Sequence, residues 1–111
     1  GEDCIWMVGD KAPKENRVLL LPPSELDSKN SVMMRSYDCI LNADSLTEMS
    51  YDSIEKYLKF INKNSKVFIS INHEGNPHTV NEAMKSLSRF SFKTRYPNWL
   101  RQGWVDEIFH N

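Results

Sequence analysis

Four side chains that can donate or accept hydrogen bonds follow one apolar run (39–41) near the middle of the chain. They lie within seven residues of one another: Asn42, Asp44, Ser45 and Glu48. A site that binds a polyol, or the ribose of a cofactor, needs this mixture of donors and acceptors. Glu48 could also act as a general base for a proton released in a reaction.

The same residues have a simpler interpretation. Ser45 and Glu48 have the S-x-x-E spacing of a capping box for a following helix, and the residue types alone favour this interpretation. Asp44 would then only satisfy the amides of a turn.

A histidine and a glutamate end the next apolar run. His73 and Glu74 follow residues 67–72 and could form an acid–base pair. A loop histidine beside a carboxylate is more often exposed and without a role. Cys39 lies inside an apolar run, where a free thiol usually packs. A metal site is not expected, because the remaining residues lack ligand spacing: His78, His110 and Cys4.

Two tryptophans and an arginine lie near the end of the sequence, at Trp99, Arg101 and Trp104. Aromatic rings can stack on a sugar or on an adenine. They more often cover an edge of the core, and core packing is favoured here.

Apolar runs predict six strands, and two segments between them have helical spacing. The strands are 5–8, 17–21, 37–43, 66–72, 91–96 and 104–109. The first helix has an apolar face from Ile54 to Ile61, with Ser50 as its N-cap. Thr79 and Glu82 predict a capping box for the second helix, whose apolar stripe reaches Phe90.

Strands that alternate with amphipathic helices predict an α/β fold, with a mostly parallel sheet and helices packed on it. The last two strands are joined too tightly for a connecting helix, so they should pair antiparallel. Ligands of such sheets bind beyond the carboxyl ends of the strands. Residues 42–48 and 72–74 should therefore share one rim and face one pocket.

The 111 residues are enough for one domain with its own core. A net charge of −1 gives no reason to expect a nucleic-acid partner. No apolar run approaches the roughly 20 residues of a membrane helix, and the N-terminus lacks a signal peptide. We therefore expect a cytoplasmic protein. A first residue other than Met is typical of a processed protein, an expressed segment or a piece of a longer protein, and the last two are favoured.

Five stretches of the sequence resemble the class I S-adenosylmethionine-dependent methyltransferases, and specifically the sugar O-methyltransferases. They are NRVLLLPPSEL (16–26), YDCILNADSLTEM (37–49), IEKYLKFINKN (54–64), VFISINHE (67–74) and RYPNW (95–99). The likeness covers residues 16–111 and leaves 1–15 unassigned. It implies a partial Rossmann-like sheet, mostly parallel with a reversed final strand, in which this chain supplies the third to seventh strands.

The resemblance also implies roles for individual residues. The end of the family's third strand would lie near the adenine of S-adenosylmethionine, and here it comprises Pro22, Pro23, Ser24 and Glu25. The end of the fourth strand would face the sulfonium group and the acceptor, and here it comprises Asn42, Ala43, Asp44 and Ser45. Glu48 would lie beside it, and Asn72 and His73 would face a sugar or glycan acceptor. Glu48 and His73 are thus the candidate catalytic residues. The candidate cofactor-binding residues are Ser24, Glu25, Asn42, Asp44 and Ser45.

The chain also departs from the family. The glycine-rich loop and the acidic residue that grip the methionine and the ribose are absent, and only four glycines occur in the chain. Since ordering a flexible ligand costs several kcal/mol, we expect a truncated sugar O-methyltransferase that does not methylate by itself. The alternative is a non-catalytic interaction module derived from such an enzyme.

Loss of the family's first two strands would leave a sheet edge open. We expect either that residues 17–21 pair with residues 38–42, or that this edge pairs with a second chain in a homodimer.

Overall fold

The computed structural model describes residues 5–7, 18–20, 35–86 and 89–111. The chain forms two compact units, Gly1–Met33 and Met34–Asn111. In the first unit, β1 (Ile5–Met7) and β2 (Val18–Leu20) pair in parallel. Both strands lie within the apolar runs that predicted them.

The described part of the second unit contains four strands and two α-helices. In chain order they are β3 (Tyr37–Ala43), α1 (Tyr51–Asn64), β4 (Ser65–His73), α2 (Val80–Lys85), β5 (Phe92–Pro97) and β6 (Trp104–His110). One 3₁₀ turn, Leu46–Glu48, lies between β3 and α1. The predicted strands and helices of this unit are all present, although α2 ends at Lys85 and does not reach Phe90.

The four strands form a mixed sheet in the order β3-β4-β6-β5. β3 and β4 are parallel, whereas β6 is antiparallel to both β4 and β5. The predicted antiparallel pairing of the last two strands is therefore confirmed. The prediction of a mostly parallel sheet holds only in part: β3, β4 and β5 run in the same direction, but β6 turns back from β5 through a short loop and inserts beside β4, so that two of the three strand pairings are antiparallel.

Both helices pack on one face of this sheet. The apolar side of α1 is buried as its spacing predicts, with Leu58 fully inaccessible. It meets Phe68 of β4 and Phe109 of β6, whose rings stack 5.6 Å apart. The side chain of Ser50 accepts a hydrogen bond from the Ser53 amide, which confirms the predicted N-cap.

The opposite face carries apolar side chains that remain in contact with solvent. Leu41 of β3 is 61% exposed, and Cys39 is also exposed, so the prediction of a packed thiol is wrong. The predicted pairing of residues 17–21 with 38–42 is not found among the described residues, where Val18–Leu20 of β2 pairs with β1. Among the described strands, β3 is hydrogen-bonded only to β4 and forms an edge of the sheet.

Candidate functional site

The carboxyl ends of β3 and β4 lie side by side and form a rim. The amide of Asp44 donates to the carbonyl of Ile71 at 2.9 Å, which continues the ladder beyond the end of β3. The β5–β6 loop reaches the same rim, because Trp104 at the start of β6 pairs with His73 at the end of β4. The prediction that the two strand ends share one rim is therefore confirmed.

A buried asparagine, Asn72, joins the two strand ends. Its Nδ2 donates to Asn42 Oδ1 and to Ser70 Oγ, each at 3.0 Å, and its Oδ1 accepts from the Ser45 amide at 3.2 Å. Asn42 Nδ2 in turn donates to Ser45 Oγ at 2.5 Å. Asn42 and Ser45, two candidate cofactor-binding residues, are thus bonded to each other and fix the shape of the rim.

The S-x-x-E segment at the rim is not a capping box, so that interpretation is wrong. Ser45 makes no side-chain hydrogen bond to the 3₁₀ turn that follows it. The Glu48 carboxylate is exposed, and its Oε1 accepts from Asn76 Nδ2 at 2.9 Å. In the described part of the chain, its Oε2 has no hydrogen-bond partner.

Asp44 has a left-handed backbone conformation, with φ at 55°, which few residues other than glycine, asparagine and aspartate adopt. Its carboxylate accepts hydrogen bonds from the Arg101 guanidinium and from Trp104 Nε1. These bonds, that of Arg101 above all, hold the pKa of Asp44 below its ordinary value. Asp44 therefore does more than satisfy turn amides.

Arg101 is a pocket residue to which sequence reasoning gave no role. Its Cζ lies 3.9 Å from the centroid of the Trp104 ring, within cation–π range. The sequence does contain a signal for this position. Arg101 lies in the loop between the last two predicted strands, and an antiparallel pair brings that loop to the rim. Core packing is the wrong interpretation for Trp99, which is 91% exposed on the same loop.

His73 and Glu74 do not form an acid–base pair, because they contact different partners. Glu74 forms an ion pair with Arg95 of β5. His73 Nδ1 accepts a hydrogen bond from the Gly75 amide at 2.9 Å, and its ring meets the Trp104 ring edge-on at 4.4 Å.

These side chains surround an open pocket of about 220 Å³ at the rim. Its lining residues are Asp44, Thr47, Glu48, His73, Arg101 and Trp104. Both candidate catalytic residues and one candidate cofactor-binding residue therefore meet in one place. Since Asp44 and Arg101 balance each other in charge, Glu48 gives the pocket a net negative charge.

A second pocket of about 420 Å³ shares Trp104 with the first and contains the Arg95–Glu74 ion pair. Nearby, Glu107 is only 3% exposed, and its Oε1 has no hydrogen-bond partner among the described residues. The closest Arg95 nitrogen is 3.8 Å away, which is too far for a hydrogen bond. Burial raises the pKa of Glu107, and the charge of Arg95 opposes this rise.

The remaining cofactor-binding candidates, Ser24 and Glu25, lie outside the described residues, as do Pro22 and Pro23. Within the described ranges, no group of three or more histidine, cysteine, aspartate or glutamate side chains is placed to hold a metal ion. No helix in the described part of the chain is long and apolar enough to cross a bilayer.

Comparison with protein-family models, with curated proteins and with solved structures gives no match to this chain. What the chain does must therefore be argued from the residues of the pocket and the strands that position them.

Proposed function

We propose that this chain is a truncated sugar O-methyltransferase of the S-adenosylmethionine-dependent class, whose pocket at the β3–β4 rim holds the reacting methyl group and the acceptor hydroxyl. The observation that carries the proposal is the meeting of Asp44, Glu48 and His73 in one pocket beyond the ends of two parallel strands. In open α/β sheets this is where ligands bind.

The order of the strands also supports the proposal. The resemblance implies a sheet in which the final strand is reversed, and β6 is reversed between β4 and β5. The Rossmann-like ancestry of the sheet and a cytoplasmic location are parts of the same proposal.

The pocket fits the reacting end of S-adenosylmethionine better than the whole molecule. Its volume of about 220 Å³ is below the roughly 300–1,000 Å³ typical of pockets that enclose a complete ligand. Its net negative charge suits a cationic sulfonium group. Asn42, Asp44 and Ser45 would form the wall beside that group, and Ser24 and Glu25 would contact the adenine.

S-adenosylmethionine supplies an electrophilic methyl group on a sulfonium centre. When bound, it would deliver this methyl group to an acceptor hydroxyl, and Glu48 would take up the proton that the hydroxyl loses. Asn76 donates to one Glu48 oxygen, so the other oxygen would receive that proton. The contribution of the rim is chiefly to orient the two reactants.

The test is a titration of the ¹⁵N-labelled chain with S-adenosylmethionine, followed by NMR. We expect weak binding, with shifts confined to the rim (42–48 and 72–73) and to the β5–β6 loop. S-adenosylhomocysteine, which lacks the methyl group and the positive charge, should shift the Glu48 amide less. Glu48→Gln should reduce that difference, and Glu82→Gln, at a glutamate that is not among the lining residues of the pocket, should not. No shift at millimolar ligand would overturn the proposal.

A second candidate function is that of a non-catalytic module that forms a homodimer through β3. It is favoured by the open edge of β3 in the described sheet and by the exposure of Leu41 on that strand. Sedimentation of the chain should then show a dimer that Leu41→Lys dissociates. The control is Leu100→Lys, at a 94% exposed loop position, which should leave the dimer intact. A monomer at all concentrations excludes this function.

A further inference from the structure

The hydrogen bond at His73 determines which ring nitrogen carries the proton. A backbone amide can only donate, so the bond from the Gly75 amide to Nδ1, at 2.9 Å, requires a lone pair on Nδ1. The single proton of the neutral imidazole is therefore on Nε2. A neighbour in its own loop therefore favours the Nε2–H tautomer of the neutral His73 ring.

The two described glycines fix the position of this ring. A Cβ on Gly75 would overlap His73 Cε1, and a Cβ on Gly103 would lie 2.6 Å from His73 Nε2. Gly103 also has a φ of 84°, which side-chain-bearing residues rarely adopt. The Trp104 ring is a third contact of the imidazole. The ring fits this position because Gly75 and Gly103 have no Cβ.

The proton on Nε2 has no partner in the described part of the chain, although His73 lines the pocket with Glu48. We infer that His73 is a hydrogen-bond donor to an oxygen of the acceptor sugar and is not a base, and that Gly75 and Gly103 are its positioning residues. This inference rests on the proposed function for the identity of the acceptor. It leaves Glu48 as the group that receives the proton.

The division of roles also indicates the chemical class of the acceptor. A donor placed on the attacking oxygen would withdraw electron density from it and slow the transfer. His73 therefore serves an oxygen adjacent to the one that is methylated. The pocket selects a sugar with two neighbouring oxygens, of which one donates its proton to Glu48 and the other accepts from His73 Nε2–H.

The tautomer can be measured without any methyl transfer. Long-range ¹H–¹⁵N correlation spectra of the full chain, recorded at alkaline pH where imidazoles are neutral, should show the Nε2–H pattern for His73. His110 is an internal reference in the same spectrum, because its Nδ1 lies 3.2 Å from the carbonyl of Asn111 and favours the opposite tautomer. Gly75→Pro removes the donating amide and should convert His73 to a mixture. An Nδ1–H pattern for His73 in the unsubstituted chain overturns the inference.

A pair of substitutions separates a donor from a base. His73→Gln retains an N–H donor but cannot take up a proton, whereas His73→Phe retains only a ring. Saturation-transfer NMR with a panel of methyl glycosides should show binding that His73→Gln weakens less than tenfold and that His73→Phe abolishes. Equal binding by the chain and by His73→Phe overturns the donor role, as does the absence of binding by every glycoside. A lack of response to S-adenosylmethionine would instead overturn the proposed function and leave the tautomer assignment standing.

Discussion

Two segments of this chain have the same hydroxyl-x-x-glutamate spacing and use it in opposite ways. At the start of α2, Thr79 Oγ1 accepts from the Glu82 amide, and Glu82 Oε2 accepts from the Thr79 amide, so both side chains are consumed in a capping box. At the rim, Ser45 bonds Asn42, and Glu48 faces the pocket.

The backbone explains the difference. Thr79 has the extended conformation of a true N-cap, with φ −104° and ψ 151°, and a helix follows it at once. Ser45 has φ −132° and ψ −40° and is followed by a single 3₁₀ turn. The Asn42–Asn72 pair competes for Ser45, and the Glu48 carboxylate accepts a hydrogen bond from Asn76 instead of capping a helix.

The largest expected effect on stability comes from substituting Asn72, one of the two asparagines that compete for Ser45. Asn72→Ala should lower the free energy of unfolding by about 1–3 kcal/mol, because the buried Ser70 and the partly buried Asn42 each lose the hydrogen bond from Asn72. Urea denaturation measures the change. Asn81→Ala, within the other segment, should cost less than about 0.5 kcal/mol, because among the described residues the Asn81 side chain is bonded only by the long side chain of Lys93. Equal losses would mean that Asn72 does not hold the rim together.

Removal of the true cap should have the next largest effect. Thr79→Ala should cost about 1 kcal/mol, and Thr79→Ser should recover most of it, because the hydroxyl accepts the bond from the Glu82 amide. Hydrogen exchange should show faster exchange at the first turn of α2 and no change in α1. Uniform loss of protection across both helices would contradict a local capping role.

Substitution of Glu82 and of Glu48 should affect stability to different extents. Glu82→Gln keeps a capping side chain but loses a negative charge at a helix N-terminus, and should cost about 0.3–1 kcal/mol. Glu48→Gln should change stability by less than this, because Glu48 is exposed and caps nothing. Thermal denaturation of both variants in one buffer makes the comparison. A greater loss for Glu48→Gln would restore the capping interpretation of the rim.

The smallest effect should be one of pH. The bonds from Arg101 and Trp104 favour ionised Asp44, so its pKa is lower in the folded than in the unfolded chain. The stability that results is present above the unfolded-state pKa and is lost as the pH falls through the folded-state pKa. Asp44→Asn should remove this part of the acid sensitivity, measured as the free energy of unfolding across the acid range. Arg101→Gln should remove it too, and the two changes together should be less than additive.

The strands and helices were predictable because their signals are local. The i, i+3, i+4 spacing of α1 and the T-x-x-E motif before α2 lie within a single turn of chain. The shared rim followed from topology alone, since parallel neighbours end at the same side of a sheet.

The side-chain partners of the site were not predictable in the same way. Asn42 and Asn72 are 30 positions apart, and Asp44 and Arg101 are 57 apart, so their meeting depends on strand register and on the loop that returns from β5. Glu74 likewise pairs with Arg95, which is distant in the sequence, so its position next to His73 wrongly indicated an acid–base pair. Local spacing predicts the secondary structure. Long-range strand pairing determines which partner each carboxylate contacts.

The position of β6 in the sheet constrains the order in which the strands can pair during synthesis. β6 follows β5 in the chain but lies between β4 and β5, so β5 has no strand to pair with until β6 has been synthesised. The Phe68 ring likewise lacks its stacking partner until Phe109 of β6 has been synthesised. Folding of this sheet on the ribosome therefore cannot proceed strand by strand, because the position between β4 and β5 stays empty until β6 emerges.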